Sequence, residues 1–408
     1  MDGVRDIFSK EEEWLIHLLR NALVKEGQTK MPEDIQKAEI AKLFHIAKKH
    51  AVSSLLYDRI REDEVLGKNC SLVEPEVRQV VMQSYRLLFL TKYIVGILEE
   101  AGIPVVVLKG VATASLYPVP ETRKTGDVDL LVPDSIEAEK IKSIMMQAGF
   151  EMSKEQHANH HIAFVSDEGI CIEIHTMLAE PFAYKRINQA MRGHMTECWQ
   201  HIQRVSCMGV VLPILDKPFH AYELLLHMLQ HFVHSGFGLK LLCDWVVLWN
   251  KDWTKEEMGR YESLLKESGL QRFSDVISAV CIRFLGLSMK NPVGADVGYE
   301  TEENFMREIL DAEEFGHSDQ NRMVMMNGTG IGAYAREFHH QMQLNYPRAG
   351  RCFLLWPILW LSTLVKFLRN NQKVRNTSAN KILKEASRRS GLMKELDLFR
   401  NIERRENL

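Results

Sequence analysis

Two aspartates, Asp127 and Asp129, interrupt an apolar run in the stretch GDVDLLVP. Successive side chains of a β-strand point to opposite faces at about 3.3 Å per residue, so the two carboxylates share one face, about 6 to 7 Å apart. Two like charges on one strand face repel each other, and a cation between them removes that repulsion. The stretch therefore predicts a strand that carries a metal-binding pair.

A second strand with a carboxylate is predicted at ICIEIH. The two-residue period places Glu173 and His175 on one face and the three isoleucines on the other. If the two strands pair with their acidic faces together, Asp127, Asp129 and Glu173 form a site of three carboxylates. Hard cations such as Mg2+ prefer oxygen ligands and are typically held by one or two carboxylates plus substrate phosphates.

A turn for those phosphates is predicted where the apolar strand IPVVVLKG ends at Lys109 and Gly110. A short helix follows the glycine, so its first backbone N–H groups and its positive end would face an anion. Lys109 adds a point charge at that corner, and Arg123 precedes the two aspartates. A metal site beside a phosphate turn indicates phosphoryl or nucleotidyl transfer by metal-assisted in-line displacement.

The segments HHIAFV and ICIEIH, joined by the turn SDEG, predict a β-hairpin. We expect His157, His160 and His161 to be hairpin residues and not ligands. For His175, which shares a face with Glu173, a place in the active site and a structural role both stay open.

Three later histidines, His227, His231 and His234, fall on one face of a predicted helix, with His220 two turns earlier and Glu223 between. Their spacing permits zinc binding, but an apolar stripe on the opposite face explains the helix by packing alone. A polar surface and a wall of the nucleotide or acceptor cleft are the two favoured interpretations.

Helical periodicity precedes and follows this strand-rich segment. A capping box of Ser9 and Glu12 starts one helix, Pro75 opens another, and the helical period returns after Pro218. We therefore predict an α+β fold, with a small mixed β-sheet core flanked by N-terminal and C-terminal helical regions. The predicted domains are an N-terminal helical region, the α/β core, a helical domain, and an apolar helix with a basic tail, at 1–97, 98–217, 218–350 and 351–408.

Composition and charge limit the classes of partner and the cellular compartment that we expect for this chain. The formal net charge of −3 argues against nucleic acid as a partner through whole-surface attraction. Seven cysteines without a C-x-x-C pair, together with an acidic N-terminus that lacks the pattern of a signal peptide, predict a cytoplasmic protein.

One apolar segment, 352–368, contains Pro357 and Lys366 and is shorter than the roughly 20 residues of a membrane-spanning helix. Buried core or a subunit contact is the favoured interpretation, and association with a membrane surface or a true span are the alternatives. The tail from Arg369 to Arg405 carries an excess of basic residues, which is typical of a solvated helical face and mildly supports an anionic surface partner.

The motifs LKG, LYP, GDVDLLV and IEIH, with the arginine between the second and the third, resemble the uncharacterised nucleotidyltransferase family of the DNA polymerase beta superfamily. The resemblance is strong from about residue 98 to about residue 180 and weaker from HMLQHFVHS to LLCDW. It implies that Gly110 lies in the turn that holds the triphosphate, that Asp127 and Asp129 bind two divalent metals, and that Glu173 completes the site. The chain departs from the superfamily pattern in having Lys-Gly at the turn and glutamate as the third carboxylate.

These observations together predict an enzyme that uses Mg2+ or Mn2+. It would transfer a nucleoside monophosphate from an NTP, with ATP as the first choice, to a hydroxyl of a small molecule or a protein. Two alternatives from other classes stay open, namely a non-catalytic nucleotide-binding or scaffold protein and a metal-dependent phosphohydrolase. The sequence does not indicate the nucleobase, the acceptor or the oligomeric state.

Overall fold

The computed structural model describes most of the chain from residue 8 to residue 312, and a shorter C-terminal helical segment. The described residues are 8–24, 37–153, 161–182, 185–234, 236–288, 297–312 and 352–370, with the single positions 339, 342, 346, 395 and 396.

A seven-stranded mixed sheet, in the order β3-β4-β5-β2-β1-β7-β6, forms the centre of the molecule. Two neighbouring pairs, β2 with β5 and β1 with β7, are parallel, and the other four are antiparallel. The strands are β1 Val106–Leu108, β2 Val128–Leu131, β3 Glu151–Met152, β4 His161–Val165, β5 Cys171–His175, β6 Ile202–Cys207 and β7 Val210–Leu215.

Helices surround the sheet on both faces. They are α1 Lys10–Val24, α2 Lys37–Lys49, α3 Tyr57–Glu62, α4 Glu74–Glu100, α5 Lys109–Ala114, α6 Ala138–Gln147, α7 Lys185–Gly193, α8 Met195–Cys198, α9 Lys217–His234, α10 Leu239–Trp249, α11 Lys255–Ser268, α12 Gln271–Leu285, α13 Tyr299–Ala312 and α14 Trp356–Asn370. Short 3-10 turns lie at Ser53–Leu56, Gly67–Leu72, Pro120–Thr122 and Phe353–Leu355.

The two faces of the central strands lie in two different apolar cores. Val107 and Leu130 pack with the apolar residues of α4 and α6, whereas Leu108 and Leu131 pack with those of α9 and α10. This alternation follows from the two-residue period of a strand. Because Asp129 lies two residues from Leu131, its carboxylate projects toward the α9 side of the sheet.

The predicted α+β fold with its mixed sheet and helical flanks is confirmed. The capping box at Ser9 and Glu12 is present, since each side chain bonds the backbone N–H of the other residue. The hairpin of β4 and β5 is present as well. The hairpin of β6 and β7, which the sequence did not reveal, adds two strands beside β1.

The division into four domains stays a prediction. The N-terminal helices α1 and α2 pack in the same apolar core as α9, α10 and α12. The long helix α4, most of which falls within the predicted N-terminal region, packs against the sheet through residues such as Leu87, Leu88 and Ile94.

The apolar helix α14 does not lie in a core within the described residues. Its side chains and those just before it are largely exposed, with Phe353 at 69%, Ile358 at 67% and Leu361 at 63%. The interpretation as buried core is therefore wrong for these residues, and a subunit contact or a membrane surface stays a prediction. Within the described part of the chain, no helix combines the length and apolar character that crossing a membrane takes. The basic tail beyond residue 370 lies outside the described residues, apart from 395 and 396.

Candidate active site

The parallel pairing of β2 with β5 brings the predicted carboxylates together. Asp129 lies opposite Glu173 in the register of this pair, and opposite Leu108 on the other side, at the end of β1. Asp127 is the residue just before β2, and it is exposed, whereas Asp129 is only 3% exposed. We call Asp127, Asp129 and Glu173 the carboxylate cluster.

Two basic side chains contact this cluster. The Lys109 ammonium lies 3.4 Å from Oδ1 of Asp129. His175 Nε2 lies 3.0 Å from the same oxygen and 3.3 Å from Oε2 of Glu173. His175 thus lies in the candidate site, where its Nε2 contacts two carboxylates. Neither Lys109 nor His175 contacts Asp127 through a hydrogen bond or ion pair found in the described residues.

The pKa values differ within the cluster according to these contacts. Burial raises the pKa of Asp129, but Lys109 and His175 outweigh it, so the net pKa is lower than that of an ordinary aspartate. The negative charge of Asp129 raises the pKa of Asp127 to about 6. The hydrogen bond from His175 lowers the pKa of Glu173. Asp127 is therefore the carboxylate whose charge the protein itself compensates least.

The backbone at the end of β1 has an uncommon conformation. Lys109 and Gly110 have positive φ angles of 41° and 33°. A Cβ at Gly110 would lie 3.1 Å from Cγ2 of Thr125 and 3.4 Å from the carbonyl oxygen of Asp127. The glycine thus allows the β1 turn to pack against the segment that leads into β2, and this contact sets the distance between the turn and the carboxylate cluster.

Arg123 lies behind this turn, in a buried ion pair with Asp244 of α10. Its Nε and Nη2 each lie 2.7 Å from a different carboxylate oxygen of Asp244. Its Nη1 donates to the carbonyl oxygen of Gly110 at 3.2 Å and to Oγ1 of Thr125 at 3.1 Å. The structure therefore groups Arg123 with the support of the turn, and direct contact with a nucleotide stays an untested prediction.

Helix α9 covers the cluster with a face of buried polar residues. Glu223 is 1% exposed, and its Oε1 has no hydrogen-bond partner among the described residues. Burial raises the pKa of Glu223 to about 8, although the nearby charge of Lys109 opposes the shift. His220, also buried, lies with its Nε2 3.0 Å from Oγ1 of Thr113 in α5. Burial lowers the pKa of His220 to about 4 and that of His227 well below its usual range.

Some of the α9 histidines thus lie on the side of the helix that faces the sheet. The His227 and His231 rings lie 4.4 Å apart, edge to face. The side chain of His234 lies outside the described residues. Sequence patterning identified this helix but gave Glu223 no role, because its helical spacing alone does not reveal that a carboxyl group is fully buried.

The three histidines of the predicted hairpin lie partly outside and partly within the described residues. His157 and His160 lie outside the described residues. His161 begins β4 and lies directly opposite His175. The prediction of a hairpin position for His161 is confirmed, and the same pairing also brings its ring near a carboxylate of the site.

The carboxylate cluster provides the donor atoms that Mg2+ prefers. Three carboxylates with an oxygen-only donor set suit a hard divalent cation, and one cationic group, Lys109, already lies against the most buried of them. The cluster has three carboxylates and contacts two basic side chains, Lys109 and His175, so an added cation would balance its remaining negative charge. The chemistry of these donor groups therefore suits a magnesium ion.

The sequence matches the model of one protein family. The family model described as uncharacterised nucleotidyltransferase matches residues 36–286, more than half of the chain and a span that includes the whole sheet and the helices α9 to α12. No curated protein matches the chain.

Several solved structures are similar to parts of the chain. An antigenic nucleotidyltransferase-like protein from Paracoccidioides brasiliensis is 16% identical, with a TM-score of 0.28, over 44% of this chain and 87% of that one. A lincosamide antibiotic adenylyltransferase with bound lincomycin is 12% identical, with a TM-score of 0.23, over 44% and 94%. The Thermotoga maritima CCA-adding enzyme, solved with tRNA, is 12% identical, with a TM-score of 0.20, over 79% and 85%.

Proposed function

This chain belongs to the uncharacterised nucleotidyltransferase family, and from that membership we propose that it transfers a nucleoside monophosphate from ATP, with Mg2+, to an acceptor hydroxyl. The observation that carries the proposal is the register of β2 with β5. It places Asp129 directly opposite Glu173, and Asp127 lies two residues before Asp129. The acceptor is a hydroxyl of a small molecule or a protein.

In this proposal the carboxylate cluster holds Mg2+, which when bound neutralises charge on the triphosphate and makes the acceptor hydroxyl more acidic. The turn at Gly110 receives the phosphates, and Lys109, at the same turn, supplies a positive charge beside them. Arg123 and Thr125 hold that turn in place from behind. His175 orients Asp129 and Glu173 by contacting one oxygen of each.

The transfer step uses Glu173 as the proton acceptor. A carboxylate is ionised at neutral pH and can accept the proton of the acceptor hydroxyl, and the contact with His175 holds the carboxylate of Glu173 in position. The hydroxyl oxygen then attacks the α-phosphorus, the bond from that phosphorus to the bridging oxygen of the β-phosphate breaks, and pyrophosphate leaves. Helix α9 closes the site on the opposite side and, through its buried face, limits the entry of water.

The experiment is incubation of the protein with ATP labelled on the α-phosphate, Mg2+ and an extract of metabolites and proteins. We expect the label on an acceptor, together with release of pyrophosphate, and loss of both products with Asp127→Asn. The matched control is Asp134→Asn, because Asp134 is exposed in the loop after the other end of β2.

The same assay separates the two alternatives. Release of phosphate without labelled acceptor would establish a phosphohydrolase instead. Nucleotide binding without any turnover across the whole extract would favour a scaffold protein.

A further inference from the structure

A second group of potential ligands lies beside the carboxylate cluster. His161 of β4 lies directly opposite His175 of β5, and residues paired in this way project from the same sheet face. Glu173, two residues before His175, projects from that face as well. The two imidazole centroids are 5.4 Å apart. One ligand atom from each of these three side chains lies within 4.8 Å of the other two.

His161 provides an independent reason to expect a ligand here. Its side chain is only 10% exposed, and its Nδ1 has no hydrogen-bond partner within the described ranges. An oxygen of Glu180 lies 3.7 Å from this nitrogen, which is beyond hydrogen-bonding distance. A buried polar atom without a partner costs free energy, so simple packing of two rings does not account for the arrangement.

The chemistry of the donor set separates this group from a magnesium site. Two imidazole nitrogens and one carboxylate oxygen are typical ligands of Zn2+ and other first-row divalent cations. Mg2+ instead takes oxygen ligands, and the carboxylate cluster offers those. Only Glu173 is common to both groups, whereas His161 lies outside the carboxylate cluster.

We propose that His161, Glu173 and His175 bind one divalent cation of the Zn2+ class. The site is built by the β4–β5 register, which holds the two imidazoles and the carboxylate on one sheet face before any metal arrives. The proposal does not rest on nucleotidyl transfer, because binding of a cation here can be measured without turnover.

The test is titration of the full chain, freed of metal with EDTA, with CoCl2, whose visible absorption reports nitrogen ligands. We expect one Co2+ per chain at this site, and His161→Gln should weaken its binding at least about 10-fold, since even supporting residues of metal sites contribute that much. His45→Gln, which changes an exposed histidine of α2, should bind Co2+ as the unchanged protein does.

A second measurement on the unchanged protein keeps the test independent of how well the variant folds. X-ray absorption of the Co2+ complex should show two imidazole ligands on the metal. Fewer than two imidazoles, or equal Co2+ affinity in the folded His161→Gln variant, would overturn the proposal. An equimolar amount of Mg2+ should leave the spectrum unchanged, and displacement of Co2+ under that condition would overturn the proposal too.

Discussion

Two clusters of charge meet at the turn formed by Lys109 and Gly110, and they differ in how completely their charges are paired. On one side, Arg123 and Asp244 form a bidentate pair with both side chains at most 6% exposed, and the hydroxyl of Tyr117 donates to Asp244 at 2.7 Å. On the other, the carboxylate cluster contains more acidic groups than cationic ones, and its members have divergent pKa values. The comparison distinguishes buried charges that are paired within the fold from carboxylates whose charge the protein balances only in part.

The largest effect should come from breaking the paired cluster. Asp244→Asn leaves the Arg123 guanidinium buried without a counter-charge, so we expect a loss of about 3 to 5 kcal/mol in the free energy of unfolding. Denaturant unfolding at neutral pH measures it. Arg204→Met, which breaks the exposed pair of Arg204 with Glu99, is the control and should cost less than about 1 kcal/mol. Equal losses in the two variants would mean that burial does not decide the energetics.

The two aspartates of the unpaired cluster should differ from each other in stability. Asp129→Asn removes the charge that Lys109 and His175 both contact, so we expect a loss of about 1 to 3 kcal/mol without metal. Asp127→Asn removes only a repulsive charge, so its melting temperature in EDTA should be unchanged or slightly higher. Thermal melts of the two variants check this difference, and a larger loss for Asp127→Asn would show that its carboxylate is structural.

Glu223, in helix α9 beside the same site, allows a comparison of stability at different pH values. Its pKa in the fold is about 8, above the reference value of 4.5, so the folded state binds the proton more tightly than the unfolded state. Its contribution to stability is therefore complete below about pH 4.5 and is lost as the pH rises through about 8. Glu223→Gln should lose less stability than the unchanged protein between about pH 5 and 8.

Unfolding curves in EDTA at several pH values measure the difference between the two proteins. The charged groups that act on Glu223, namely Lys109, Asp129, His175 and Arg123, are retained in both, so their own titration largely cancels. Parallel pH profiles would show that Glu223 keeps an ordinary pKa in the fold.

A separate effect, on affinity and not on stability, concerns Lys109 and the nucleotide. Lys109→Ala removes one positive charge but keeps the backbone turn at Gly110, so the affinity for a non-hydrolysable ATP analogue should fall by about 1 to 3 kcal/mol. Calorimetry measures it, and Lys124→Ala, at a half-buried position outside the proposed phosphate turn, is the comparison. A loss in Lys124→Ala equal to that in Lys109→Ala would remove the specific role of Lys109.

Local patterns in the sequence were sufficient to predict the two strands that carry Asp129 and Glu173. The two-residue period placed Glu173 and His175 on one strand face, and the structure pairs that strand with the one that carries Asp129. The hairpin of β6 and β7 was missed because its turn, Met208 and Gly209 with φ angles of 47° and 81°, lacks the usual Asn-Gly signal. Pro213 within β7 also weakens the strand pattern.

Contacts between distant parts of the chain could not be predicted from such patterns. Arg123 and Asp244 are 121 positions apart, and nothing near Arg123 in the sequence distinguishes an ion pair in the interior from a phosphate contact. The burial of Glu223 has the same cause, since it depends on how α9 packs across the sheet and not on the periodicity of α9 itself.

Calorimetric titration of Mg2+ with a non-hydrolysable ATP analogue tests the central claim most directly. That claim is that the carboxylate cluster lacks positive charge which a magnesium–nucleotide complex supplies. The account predicts saturable binding to the unchanged protein and to Asp134→Asn, and affinity at least about 100-fold lower in Asp127→Asn, because a direct ligand should contribute more than a supporting residue. Equal affinity in a correctly folded Asp127→Asn protein would contradict the account.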